Sequence, residues 1–248
     1  MIRTGLMVLL AFAMLGNSAQ AKPFTIVLFG DSNTSASNWK KQSYDTDATW
    51  ANLLNDHYQD ARVINAGVSG DTTEDARKRF FHDVINKQPA LVLIMFGTND
   101  AHLNRQSEAK VDKKTFEINM TYFIEEIEKN DGKAVLVTCL PIIEGNGSDG
   151  YYYAHHPKSH YHRVGGARSW HDSYNDIVRT IAEKEDIPLV DLWKRIVDVA
   201  DGDDDQRLID SGMIDPSGYH LTPKGAELLV NEIIKSVSNL KNGGVDHA

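Results

Sequence analysis

The chain has 248 residues, 41% of them apolar and 25% charged, which is the make-up of a globular protein long enough to bury a full core and not that of a disordered or fibrous one. Its formal charge of −9 argues against nucleic acid or anionic lipid as a partner, because both repel an acidic surface. The single cysteine, Cys139, excludes an internal disulfide.

Residues 1–21 read as a signal peptide. Arg3 precedes an apolar run from Gly5 to Leu15, and the small residues Ala19-Gln20-Ala21 suit cleavage near Ala21. That run is short of the roughly 20 residues a membrane span needs, so cleavage is expected rather than anchoring. The mature chain then starts near Lys22, and residues 22–248 are expected to form one periplasmic or secreted domain with no membrane span after processing.

The first strand is expected at Phe24 to Phe29, followed by a helix at about Thr49 to Tyr58 and a strand at Ala61 to Ile64. Asp71-Thr72-Thr73-Glu74 has capping-box spacing, opens a helix over Thr72 to Asn86 and places Gly70 immediately before its N-terminus. A strand at Ala90 to Phe96, a helix at Lys113 to Lys129 and a strand at Ala134 to Leu140 come next. In the last of these Cys139 reads as a small buried hydrophobe. A helix at Ser169 to Glu185 and a strand at Pro188 to Val190 lead to a final helix, Thr222 to Leu240, with Pro223 in its first turn. The tail Asn242-Gly243-Gly244 is expected to fray. Strands so rich in Val, Ile and Leu are covered on both faces, and their alternation with helices predicts an α/β domain on a mostly parallel, five-stranded sheet.

In such a sheet ligands bind beyond the carboxyl ends of the strands. Ser32 follows the first strand, Gly67 and Gly70 the second, and Gly97-Thr98-Asn99-Asp100 the third; His220 precedes the last helix. A serine hydroxyl needs a base to become a nucleophile, and histidine is the usual one. Attack on a carbonyl also creates an oxyanion that needs fixed donors, which the Ser32 amide, the Gly70 amide and the Asn99 side chain can supply.

Four segments together resemble the SGNH, or GDSL, hydrolase superfamily: Gly30-Asp31-Ser32, Asn65-Ala66-Gly67-Val68-Ser69-Gly70-Asp71-Thr72, Gly97-Thr98-Asn99-Asp100, and Tyr219-His220-Leu221-Thr222-Pro223-Lys224-Gly225. They occur in that family's order. The resemblance implies a three-layer α/β/α, flavodoxin-like fold and hydrolysis of esters or thioesters with no metal or cofactor. It implies Ser32 as nucleophile, His220 as base, and the Ser32 amide, Gly70 and Asn99 as the oxyanion hole. Gly67 competes with Gly70, which fits better because Asp71-Thr72 follows it. The spacing around Ser69 does not match the Gly-x-Ser-x-Gly elbow of the α/β-hydrolases.

The family usually places its triad aspartate three residues before the histidine, where this chain has Ser217. The nearest acid is Asp215. Asp215-Pro216-Ser217-Gly218 has type I turn chemistry, which would carry that carboxylate back to His220. The alternatives are that Asp215 only caps the turn while a backbone carbonyl or another acid such as Asp210 orients the imidazole.

The segment from Tyr151 to His171 is dense in Tyr and His. Its readings are a metal site, a loop shaping the substrate cleft and an inert insertion, and it lacks the spacing of a zinc site. Asp201 to Asp205 reads as a solvated acidic loop, since Gln206 and Gly212 replace the glycine and glutamate of a calcium loop. Asp191 either caps a helix or faces the cleft, Asp31 shapes the serine turn, and His102 lies in a loop near Asn99. The expected activity is two-step acyl transfer on a small-molecule, carbohydrate or lipid ester, with short acyl or carbohydrate O-acetyl groups ahead of lysophospholipids and thioesters. A carbohydrate-binding protein with little catalysis is the rival reading. Oligomeric state is not legible.

Overall fold

The computed structural model describes residues 24–242, so the expected leader and the Gly243-Gly244 tail lie outside the described residues. Five strands, β1 (Phe24–Gly30), β2 (Ala61–Gly67), β3 (Leu91–Met95), β4 (Lys133–Val137) and β5 (Leu189–Val190), pair in parallel in the order β2-β1-β3-β4-β5. This is the flavodoxin-like order, in which the chain first winds one way from β1 and then the other. The switch point lies between β1 and β3.

The helices are α1 (Ser32–Ser35), α2 (Trp50–His57), α3 (Thr73–Asp83), α4 (Lys113–Lys129), α5 (Tyr152–His155), α6 (Ala167–Lys184), α7 (Leu192–Ala200), α8 (Asp205–Ser211) and α9 (Pro223–Asn242). Side chains alternate across each strand, which builds two cores. Ile26, Leu28, Leu93 and Val135 pack with Leu54 of α2, Ile196 of α7 and Leu229 and Ile233 of α9. On the opposite face Val27, Phe29, Ile94 and Leu136 pack with Phe80 of α3, Phe123 of α4 and Val178 of α6. Phe29 lies 5.4 Å from Phe80 and 5.2 Å from Phe123, ring centre to ring centre, so the centre of this layer is aromatic. The result is the expected three-layer α/β/α fold.

Two expectations are corrected. The capping box at α3 is one residue later than expected: Thr72 is the cap, its hydroxyl accepting from Asp75 N at 3.3 Å while the Asp75 carboxylate accepts from Thr72 N at 3.4 Å. The reason is Arg79, which takes up the Asp71 carboxylate at 2.6 Å. Gly70 therefore stands two residues before the cap. The acidic stretch Asp201 to Asp205 is also more than a solvated loop. Asp204 caps α8, and Asp205 accepts from Glu144 N at 2.9 Å and Gly145 N at 2.8 Å and pairs with Arg168. Asp191 caps α7, accepting from Lys194 N at 3.1 Å, and pairs with Arg179 at 2.8 Å.

Candidate active site

The chain turns as soon as β1 ends. A Cβ at Gly30 would lie 2.7 Å from Met95 O, so only glycine passes here. Asp31 then caps α1 by accepting from Asn33 N at 2.9 Å, which presents Ser32 on the first residue of a one-turn helix at the switch point. His220 reaches the same place from the loop before α9. Asn33 holds that loop from both sides of the histidine: its Nδ2 donates to Tyr219 O at 3.1 Å and its Oδ1 accepts from Leu221 N at 3.0 Å. The outcome is Ser32 Oγ at 3.0 Å from His220 Nε2, across 188 positions of sequence.

Behind His220 the expected turn forms, closed by Gly218 N donating to Asp215 O at 2.9 Å. Asp215 N also donates to His220 O at 2.8 Å, so the turn lies against the histidine. The carboxylate nevertheless stops 4.0 Å from His220 Nδ1, beyond hydrogen-bond length. Ser217 Oγ fills the interval at 2.8 Å from Nδ1, and its hydroxyl donates to Asp215 Oδ1. Asp215 is fully buried, and Asn38 Nδ2 at 2.9 Å, Gln42 Nε2 at 3.4 Å and Ser217 N at 2.9 Å also donate to it. Asp210 instead accepts from Gln206 Nε2 at 2.8 Å on the exposed side of α8. Burial lowers the His220 pKa below the usual histidine range, with the Asp215 charge opposing, so the imidazole is neutral and basic at neutral pH.

Gly70 has φ of +86° and open space where a Cβ would stand, and its N–H has no hydrogen-bond partner among the described residues. Gly67 is different, because a Cβ there would lie 2.4 Å from Ser35 N. It is a close-packing glycine against α1. Asn99 Nδ2 donates to Asp71 O at 3.0 Å and to Asp31 Oδ2 at 3.2 Å, tying together the loops after β1, β2 and β3. Both of its N–H groups thus have acceptors within the protein. Burial pushes the Asp31 carboxyl up to about 7. Asp100, pushed up to about 6 by burial, accepts from Thr73 N at 2.8 Å and Thr73 Oγ1 at 2.6 Å, locking the Asn99 loop to α3.

The residues matched by the model of the GDSL-like lipase/acylhydrolase family are 28–228, most of the chain and all four clustered segments. The chain belongs to the GDSL-like lipase/acylhydrolase family. As a member it is a carboxylic ester hydrolase. It is 47% identical over 212 residues to the uncharacterized lipoprotein YqeF of Bacillus subtilis, covering 84% of this chain and 87% of that one. It is 30% identical over 134 residues to an acetylxylan esterase of Geobacillus stearothermophilus, covering 52% and 53%. The lipase/acylhydrolase structure from Enterococcus faecalis shares its fold with a TM-score of 0.64 at 24% identity, over 88% of this chain and 96% of that one.

In this GDSL-like hydrolase the Tyr- and His-rich segment is a packed structure. Tyr152 Oη lies 2.8 Å from Tyr161 Oη, and Leu103 N donates to Tyr161 at 3.1 Å. Tyr152 also stacks on His156 at 4.2 Å and meets the Tyr219 ring at 5.5 Å. The segment therefore spans from the loop after β3 to the loop that carries His220. His102 lies 4.5 Å from His156, and burial lowers them to about 4 and about 3, leaving both neutral. Among the described residues no three His, Cys, Asp or Glu side chains converge to hold a metal. Burial also pushes the Cys139 thiol up to about 12, as suits a core residue.

Two residues of the site were missed in the sequence. Asn33 carried no signal beyond its place next to Ser32. Ser217 did carry one, since a hydroxyl stands where the family places its acid, but local sequence does not show that it would point at the imidazole.

Proposed function

We propose that this hydrolase is exported, with residues 22–248 as one domain, and cleaves short acyl esters, acetyl groups on carbohydrate above all, with Ser32 as nucleophile and His220 as general base. The observation that carries this reading is the 3.0 Å contact between Ser32 Oγ and His220 Nε2. His220 takes the serine proton as Oγ attacks the carbonyl, then gives it to the leaving alcohol. Water, activated by the same imidazole, then hydrolyses the acyl-enzyme.

The amides of Ser32 and Gly70 receive the oxyanion, and Asn99 joins them by exchanging its longer bond, to Asp31, for the substrate oxygen. Asp215 supplies the charge that stabilises the imidazolium. Two observations support the substrate class, the aromatic segment against Tyr219 and the acetylxylan esterase name of one relative, while the lipoprotein name of another fits work outside the cytoplasm. Among the described residues no helix is long and apolar enough to cross a membrane.

The test compares wild type and Ser32→Ala on p-nitrophenyl acetate, butyrate and octanoate and on acetylated xylan. The expected result is a kcat at least ~10³-fold lower for the variant, acetate released from xylan by wild type, and kcat/KM falling with acyl length. A rise with acyl length would move the substrate to lipid acyl groups. Equal, near-background rates for both proteins on every ester would contradict the role of Ser32 and leave a sugar-binding protein.

A further inference from the structure

We propose that Ser217 is a positioning residue that transmits the Asp215 charge to His220, so that the acid acts through an intervening hydroxyl in a chain Ser32–His220–Ser217–Asp215. This rests on the roles proposed above for Ser32 and His220. The hydroxyl has one proton and gives it to Asp215 Oδ1, because a carboxylate oxygen can only accept. The Ser217 oxygen is then free to accept, and the group facing it at 2.8 Å is His220 Nδ1, which must carry its hydrogen on that side. Nε2 is left bare towards Ser32 Oγ. The hydroxyl thus does what the carboxylate does in a three-membered triad, fixing the tautomer that can accept the serine proton.

The backbone makes a direct contact impossible without rearrangement. Asp215 lies two residues beyond the usual position, and its carboxylate is pinned by Asn38, Gln42 and the Ser217 N–H. Oδ2 remains 4.0 Å from Nδ1, whereas Ser217 sits three residues before the histidine and reaches it. During the reaction one proton moves, from Ser32 Oγ to Nε2. The Nδ1–H and Ser217 O–H protons stay on their own atoms, and their hydrogen bonds shorten as the imidazolium forms. Asp215 is the charged group acting on His220, and the Tyr219 ring lies beside the imidazole at 4.3 Å.

Ser217→Ala removes the hydroxyl but keeps the N–H that bonds Asp215 Oδ1, so the turn survives. Steady-state kinetics on p-nitrophenyl acetate as a function of pH should show kcat lowered ~10- to 100-fold with KM within about twofold of wild type, and the acid limb moved to lower pH. Ser217→Thr, which restores a hydroxyl, should recover most of kcat. The double variant Asp215→Asn/Ser217→Asp places a carboxylate directly on Nδ1 and should recover activity with the acid limb above that of wild type.

A Ser217→Ala enzyme within twofold of wild-type kcat and with an unmoved acid limb would overturn the proposal. A 15N NMR titration of His220 reads the same link without turnover: the variant's imidazole pKa should lie below that of wild type, and identical values would overturn it. If wild type and Ser32→Ala were equally inactive while this titration still moved, the functional reading would fail and the relay would stand.

Discussion

Burial and charge act in opposite directions on His220, and burial is the larger influence. A base works only when unprotonated, so activity is present above the histidine's pKa and falls as pH drops through it. The acid limb of kcat/KM is therefore expected below the ordinary histidine value of about 6.5, and a limb above 6.5 would contradict the burial argument. Asp31 gives a second pH dependence, in stability. Its folded pKa, about 7, lies above the ordinary aspartate value of 3.8, so the stability it permits is fully present below that lower value and is lost as pH rises through about 7. The difference in Tm between Asp31→Asn and wild type is expected to shift in the variant's favour from pH 4 to pH 8; a constant difference would contradict the raised pKa. Ser32 and His220, which the fold brings within 3.0 Å, were legible as a pair because their residue types and positions beside the first strand and the last helix are written in the sequence. The 4.0 Å gap behind His220 was not, because it depends on where a turn directs its side chains.

At the scale of elements, the site depends on two short connections lying together, the turn after β1 and the loop before α9. Asn33 joins them, and Asn33→Ala would leave Tyr219 O and Leu221 N without their partners. Its expected effect is a kcat roughly 10-fold lower, with Tm reduced as well, measured beside Ser32→Ala. An unchanged kcat would show that the loop is held by other contacts. The Tyr- and His-rich segment is fastened to the same loop at Gly218, which has φ of +84° and where a Cβ would lie 2.4 Å from Ile143 O and 2.9 Å from Tyr152 N. Gly218→Ala is expected to lower stability by about 1–3 kcal/mol in denaturant titration. The long strands and helices could be read from apolar runs, but α1, α5, α7 and α8 could not. They are short, and α7 and α8 are fixed by the caps of Asp191 and Asp204 and by the ion pairs of Asp191 and Asp205 with distant arginines, which local periodicity does not record.

For the whole molecule, the sheet order brings three strand ends and the loop before α9 to one place, and each contributes one kind of group: a hydroxyl after β1, a free amide after β2, a side-chain amide after β3 and an imidazole before α9. Asp31, Asn99, Asp71, Asp100 and Thr73 bind the three strand-end loops and the start of α3 into one hydrogen-bonded network. In the proposed function this arrangement makes Ser32 a nucleophile. The most direct measurement is labelling of the folded protein with a fluorophosphonate, followed by peptide mass spectrometry. One covalent adduct is expected, on Ser32, absent in Ser32→Ala and formed far more slowly in His220→Ala. No adduct, or an adduct on another residue that persists in Ser32→Ala, would contradict it.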